Sequence, residues 1–307
     1  MIVVAVASQK GGSGKTTLSG HLAVEAERAG AGPVTLIDTD PQGSLSQWWN
    51  ARAARAPQFA KVGAFELQSA LVHLARTGTK LAIIDTPPAI SDSISHVIAH
   101  ADLIVVPTRP SPHDLRAVGA TVDMAERFGK PLIFVINGAT PRARITGEAA
   151  VALSQHGMVA PVFLHHRVDF AAAMVDGRTV GEAVPKSASA KELAELWVYI
   201  QDRIARLTKD ASLAPEGRPS HLALSPLTGL EDTDSPEPEL AAVHIAVAPP
   251  APVALPAAVD GGIGMERRGE VERRDKSRLN AFFAGVERRA NVFGRRHSEQ
   301  QDASGRK

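Results

Sequence analysis

Apolar and polar positions along this chain fall into two kinds of block. Continuous apolar runs lie at 2–7, 33–38, 81–85, 102–107, 131–136 and 159–164, each short enough for a buried strand. Between the first two, Leu18, Leu22, Ala23 and Ala26 place an apolar face at helical spacing after Thr17. Ser111-Pro112-His113-Asp114 reads as a helix start: serine as the cap, proline at the first helical position, an acid near the positive dipole end. Val118, Val122 and Ala125 continue that helix, and Phe128-Gly129-Lys130-Pro131 ends it. Strands alternating with helices predict an α/β fold, a doubly wound, mostly parallel sheet. Trp48-Trp49 is expected to pack a helix against that sheet, a partner contact being the alternative.

This pattern stops near residue 210. Residues 1–210 carry 21 Lys+Arg against 19 Asp+Glu and read as one folded domain. Residues 211–264 carry one basic residue against seven acids and run through Ala-Pro-Val-Ala-Leu-Pro, with no periodicity that could bury a core. They are expected to be an acidic, Pro/Ala-rich disordered linker. Residues 265–307 turn basic again, 12 against seven. Within them Leu279, Phe282, Phe283, Val286, Ala290 and Phe293 recur on one helical face, flanked by Arg273, Arg274, Lys276, Arg278, Arg288 and Arg289. A basic amphipathic helix over about 271–293 can lie on an anionic membrane, fill a partner groove, touch DNA or dock on its own core.

Charge and cysteine content narrow the classes. The chain has no cysteine, which excludes disulfides and thiolate metal sites. The first residues form an apolar strand rather than a charged leader, and no apolar run approaches the roughly 20 residues of a membrane span, so a cytoplasmic protein is expected. His165-His166 is a poor metal pair, because neighbours on a strand point to opposite faces, and is expected to be structural.

The chemistry concentrates after the first strand. Ser8-Gln9-Lys10-Gly11-Gly12-Ser13-Gly14-Lys15-Thr16-Thr17 is a glycine loop that opens a helix, the arrangement that turns backbone N–H groups onto phosphate oxygens. Gly11, Gly12, Ser13, Gly14, Lys15, Thr16 and Thr17 would form the cradle. Lys15 is expected to neutralise the β/γ-phosphates of ATP, and the Thr16 hydroxyl to ligate Mg²⁺. The ordinary G-x-x-x-x-G-K-[ST] pattern fails at its first position, which is Gln9. Instead a second lysine, Lys10, stands five residues before Lys15, too far back to duplicate it. Asp38 and Asp85 both end apolar runs, so both lie where open α/β sheets bind ligands. Asp85 would hold Mg²⁺ through water.

Together with Ile37-Asp38-Thr39-Asp40-Pro41-Gln42, Ile83-Ile84-Asp85-Thr86-Pro87-Pro88 and Val106-Pro107-Thr108-Arg109-Pro110-Ser111-Pro112, this loop resembles the ParA/MinD family of ATPases with a deviant Walker A motif. The resemblance is to its ParA-type, ParF-like partition members and covers about the first 210 residues. It implies a P-loop architecture, and an ATP-driven homodimer in which Lys10 crosses to the partner's nucleotide. It further implies that Asp40 orients or deprotonates the attacking water, with Asp38 supporting the metal shell. Asn137 would read the adenine edge, with an Asn-Gly turn as the alternative. The proline cluster Pro107, Pro110 and Pro112 is expected to stiffen a loop beside the nucleotide and the subunit interface.

The resemblance further implies a switch that binds DNA without sequence preference, answers a ParB/ParG-like or cargo-adaptor partner, and associates with the nucleoid. Arg142, Arg144, Arg167, Arg178, Lys186 and Lys191 are the basic residues for such a face, with Arg167 first, and a solvated surface as their alternative. The same motifs serve a MinD-like ATPase that binds membrane through the tail. Related metabolic synthetases and reductases are disfavoured, since there is no cysteine for a cluster and no second catalytic domain.

Overall fold

A computed structural model describes residues 1–88 and 92–213. β1 (Ile2–Val6) leads into α1 (Lys15–Arg28), and β2 (Val34–Asp38) into α2 (Ser44–Asn50) and β3 (Gln58–Lys61). After α3 (Leu67–Arg76) come β4 (Leu81–Asp85), α4 (Asp92–His100) and β5 (Leu103–Thr108). Then α5 (Pro112–Ala117), α6 (Gly119–Arg127), β6 (Leu132–Ala139) and α7 (Arg144–Ser154) follow. The described chain closes with β7 (Met158–Val159), β8 (Leu164–His165), α8 (Val168–Met174), α9 (Val180–Ala183) and α10 (Ala188–Leu213).

The sheet runs β3-β2-β4-β1-β5-β6-β7, every pair parallel, with β8 also on β6. Its strands are apolar throughout because both faces are covered, and the period-2 alternation sorts their side chains. Val4, Val6, Leu36, Ile83 and Val105 face α1, α2 and α10, where Leu22, Trp48 and Trp197 meet them. Val3, Ala5, Ile37, Ile84 and Val106 face α3, α4 and α6, where Leu71, Ile98 and Val122 meet them. From β1 the chain moves to one side of the sheet and later returns to β5 on the other. That reversal opens a crevice at the carboxyl end of β1, where the glycine loop begins.

The expected strands at 2–7, 33–38, 81–85 and 102–107 are present within a residue, that at 131–136 runs three residues further to Ala139, and four other local expectations change. β3 was not expected: Gln58–Lys61 is a four-residue edge strand with only Phe59 and Ala60 buried, too short to show a period. The run 159–164 is not one strand but the two short strands β7 and β8 around Pro161, which has no N–H to give a ladder. The helix that Ser111 caps breaks at Val118 into α5 and α6. Pro107 lies inside β5, opposite Val135, rather than in the loop that follows. The cap itself is as expected: Ser111 Oγ accepts from the Asp114 N–H at 3.2 Å, with Pro112 at the first position.

α10 continues to Leu213, three residues past the expected boundary. The remainder of the expected linker and the basic tail with its amphipathic helix lie outside the described residues. No described helix is long and apolar enough to cross a membrane.

Candidate nucleotide site

The glycine loop reaches α1 through two left-handed residues, Gly12 (φ 78°) and Gly14 (φ 97°). Gly14 occupies the cap position of α1 with no side-chain cap, so the first-turn amides keep their capacity for an anion, and no acid sits in that turn. A Cβ on Gly14 would come within 2.2 Å of Asn137 Nδ2, so the glycine is also required by close approach. Ser13 Oγ is buried without a partner at the same turn. The loop therefore fits a polyphosphate.

Lys15 is buried, and its ammonium donates to the Lys10 carbonyl at 3.4 Å. Burial lowers its pKa, and the charges of Asp85 and Asp40 offset part of that. Thr16 Oγ1 donates to Asp85 Oδ2 at 2.7 Å, and Ser19 Oγ to Asp85 Oδ1 at 3.0 Å. Burial pushes Asp85 up to about 7 despite those two hydrogen bonds, with the nearby Asp38 carboxylate adding to the rise. A buried carboxylate so destabilised, beside a threonine hydroxyl, is an oxygen site suited to a hard cation. Among the described residues no group of three or more His, Cys, Asp or Glu could hold a metal ion alone. Mg²⁺ at Thr16 and Asp85 therefore fits as an ion that shares its shell with phosphate oxygens and water.

Asp38 and Asp40 divide the work at the end of β2. Asp38 is fully buried, and both of its oxygens are engaged: Oδ1 by the Asp40 N–H at 3.0 Å, Oδ2 by the Ser46 N–H at 2.9 Å and its hydroxyl at 2.6 Å. It anchors the first turn of α2. Asp40 is half-buried, accepts the Gln42 N–H on Oδ1 at 2.9 Å, and faces Lys15 electrostatically.

Asn137 does not form a turn. β6 runs on through it and Gly138 to Ala139 with a bulge against β8, and Asn137 Nδ2 donates to the Ser13 carbonyl at 2.7 Å. It thus ties the sheet to the glycine loop. Beside it opens a cavity of about 180 Å³ lined by Thr17, His21, Arg109, Asn137, Arg167 and Phe170 among others. Arg167 is half-buried on this cavity and donates to Glu192 at 2.6 Å; His165 holds the same carboxylate at 2.8 Å. His165 thus has a structural partner in Glu192, which its backbone N–H also reaches at 3.1 Å.

The remaining basic residues are surface groups. Arg178 pairs with Asp176 at 2.6 Å, Lys191 with Glu195 at 3.7 Å and Arg144 with Glu148 at 3.1 Å. Lys186 and Arg142 are exposed. Trp48 and Trp49 act as packing groups: Trp48 lies under Gly20 of α1 and donates to the Arg178 carbonyl at 3.2 Å, and Trp49 stacks on Phe59. Sequence reasoning missed Ser19 and Ser46 as the partners of Asp85 and Asp38. A serine at i+4 from Lys15 and one at the first turn after the acidic segment were the available signals.

The CobQ/CobB/MinD/ParA nucleotide binding domain matches residues 4–180. The chain belongs to this family. Among similar proteins, the maintenance of carboxysome distribution protein A of Halothiobacillus neapolitanus is 30% identical over 200 residues, 62% of this chain and 91% of that one. The chromosome-partitioning ATPase Soj of Thermus thermophilus is 29% identical over 173 residues, 47% of this chain and 66% of that one. The structure of the septum site-determining protein MinD of Pyrococcus horikoshii with Mg-ADP shares the fold, with TM-score 0.56 and 14% identity, covering 67% of this chain and 98% of that one. The membership accords with the glycine loop, both lysines and the acids at the ends of β2 and β4.

Proposed function

We propose that this chain is a ParA-type ATPase, an ATP-driven dimerisation switch that positions an intracellular cargo through non-specific DNA. The observation that carries the reading is the loop bearing both Lys10 and Lys15 at the carboxyl end of β1, facing Asp40 and Asp85. The two curated relatives above are positioning or partitioning proteins by name.

Each residue has a task in this reading. The loop amides and Lys15 hold the phosphates of ATP, and Asn137 holds the loop against β6 beside the base and ribose cavity. Thr16 and Asp85 would hold Mg²⁺, which would neutralise phosphate charge. Asp40 accepts a proton from, or orients, the attacking water, while Asp38 fixes the start of α2 so that Asp40 keeps its direction. Lys10 completes the site of a second subunit. Arg178, Lys186 and Lys191, with Arg167 at the cavity edge, form the basic face for DNA. A separate adaptor or ParB/ParG-like protein stimulates hydrolysis and so resets the switch, and the folded unit ends near residue 210.

The test compares two surfaces. With ATP and Mg²⁺ the protein should be retained on unrelated DNA duplexes at low salt and released by hydrolysis. Retention on anionic liposomes and not on DNA would give the MinD-like reading instead.

A further inference from the structure

Lys10 has a partner within its own chain. Its ammonium lies 2.7 Å from Asp114 Oδ2, a contact spanning 104 residues of sequence. The two ends differ in freedom: the Asp114 side chain is 6% exposed, that of Lys10 39%. Asp114 is fixed because the hydroxyl of Ser111, the cap of α5, donates to the same oxygen while the Asp114 N–H donates back to Ser111 Oγ. Burial works to raise the Asp114 pKa, but the hydrogen bonds from Lys10 and Ser111 and the charges of Lys10 and Arg109 outweigh it and keep the carboxyl ionised. A buried, charged acceptor therefore holds a lysine that is itself partly exposed.

We propose that Asp114 is a restraining residue, which holds Lys10 in cis in the separate subunit and must release it for the nucleotide-bound dimer to form. The inference rests on the reading that Lys10 crosses to a partner's nucleotide. One ammonium can turn its donors to a carboxylate or to a polyphosphate, and the polyphosphate carries more charge at the same contact distance. Each dimer opens two such ion pairs, so their strength enters the dimerisation constant twice. The geometry thereby gives the switch a threshold: subunits with partially filled sites stay apart.

The full chain is compared by light scattering with ATP and Mg²⁺ over a range of protein concentrations, as wild type, Asp114→Asn, Lys10→Ala and the double variant. Two partly exposed pairs of ordinary strength predict that Asp114→Asn reaches half-dimer at about tenfold lower protein concentration. ADP binding by the monomer should be unaltered. The double variant should stay monomeric like Lys10→Ala, because the gain needs a free lysine. An unchanged or raised threshold in a folded, ADP-binding Asp114→Asn protein overturns the proposal and leaves Asp114 as a helix-start residue only. Should the asparagine variant not fold, Asp114→Gln keeps an amide at the third helical position and reads the same threshold. Normal dimerisation by Lys10→Ala would instead overturn the reading in trans on which the inference rests.

Discussion

Arg52 and Glu182, 130 residues apart, form a two-pronged ion pair with Nη1 2.8 Å from Oε2 and Nη2 2.6 Å from Oε1. The Arg52 side chain is 3% exposed; it also donates to the Gly177 and Ala56 carbonyls and lies over the Trp48 ring. Glu182 is at once the third-position acid of the Thr179 capping box. This clasp fastens the segment after α2, whose first turn Asp38 anchors, to α9 and, through Gly177, to the loop that precedes it. Removing the arginine would leave Glu182 Oε1 and two carbonyls without their donor, while Oε2 keeps the Thr179 N–H at 2.9 Å.

Arg52→Ala is accordingly expected to destabilise the protein by roughly 2–4 kcal/mol, somewhat under the cost of breaking a fully buried pair because Glu182 is partly exposed and keeps the Thr179 N–H. Glu182→Gln, which keeps the hydrogen-bonding shape, should cost less. Urea melts of the two variants measure the difference, and equal midpoints to wild type would show the clasp to be ornamental.

The phosphate and water roles separate by mutation. Lys15→Ala should abolish nucleotide binding, because its ammonium serves every bound state. Asp40→Ala should bind ATP, fail to release phosphate and accumulate the dimer, because that carboxylate acts on the water alone. Wild-type phosphate release by Asp40→Ala would remove the assignment.

Gly14→Ala should lose nucleotide binding for two separable reasons. The added methyl meets Asn137 Nδ2, and the φ of 97° strains any L side chain. Pairing it with Asn137→Ala relieves the first and not the second, so calorimetric titration with ADP should show at most partial recovery. Full recovery would assign the whole effect to the collision.

His21 predicts a pH dependence. Its Nδ1–H donates to the Thr17 carbonyl at 2.8 Å, while Nε2 is buried without a partner and the ring packs on Phe170. Burial lowers its pKa from 6.5 to about 4, the Thr17 contact and the Glu182 charge only partly opposing. Between those values the unfolded chain binds more protons than the folded one, so stability falls as pH drops from 6.5 toward 4. The loss should total about 3 kcal/mol and be missing in His21→Leu. Chemical denaturation of both proteins at pH 7.5 and pH 4.5 gives the comparison; parallel losses would contradict it.

The proposed DNA face predicts a salt law. Each phosphate contact contributes about −0.9 to the slope of log affinity against log salt. Lys186→Ala should flatten the slope by about that amount, while Arg167→Ala and Arg178→Ala, whose guanidinium groups are already held by Glu192 and Asp176, should each flatten it less. Slopes unaltered by all three would place the contacts elsewhere.

The sequence by itself determined the strands, the glycine loop and the acids at strand ends. Those signals are local: a buried parallel strand needs an unbroken apolar run, and a phosphate cradle needs glycines next to Lys-Thr within a few residues. The Ser111 cap was legible for the same reason, since a helix start is written in consecutive residues. Tertiary structure decided the rest. The edge strand β3 exists because β2 offers a ladder, not because Gln58–Lys61 has a period of its own. Whether Asn137 forms a turn was open from Asn-Gly alone until the sheet placed it inside β6, with its amide on the Ser13 carbonyl. Arg167 could be named from sequence as a basic residue for a DNA face, but not its ion pair, which exists because α10 brings Glu192 beside it. The partner of Lys10 lay 104 residues away, and only the packing of α5 beside the loop brings those two charges within 2.7 Å. Contacts of that kind depend on how strands are ordered in the sheet, which no short stretch of sequence encodes.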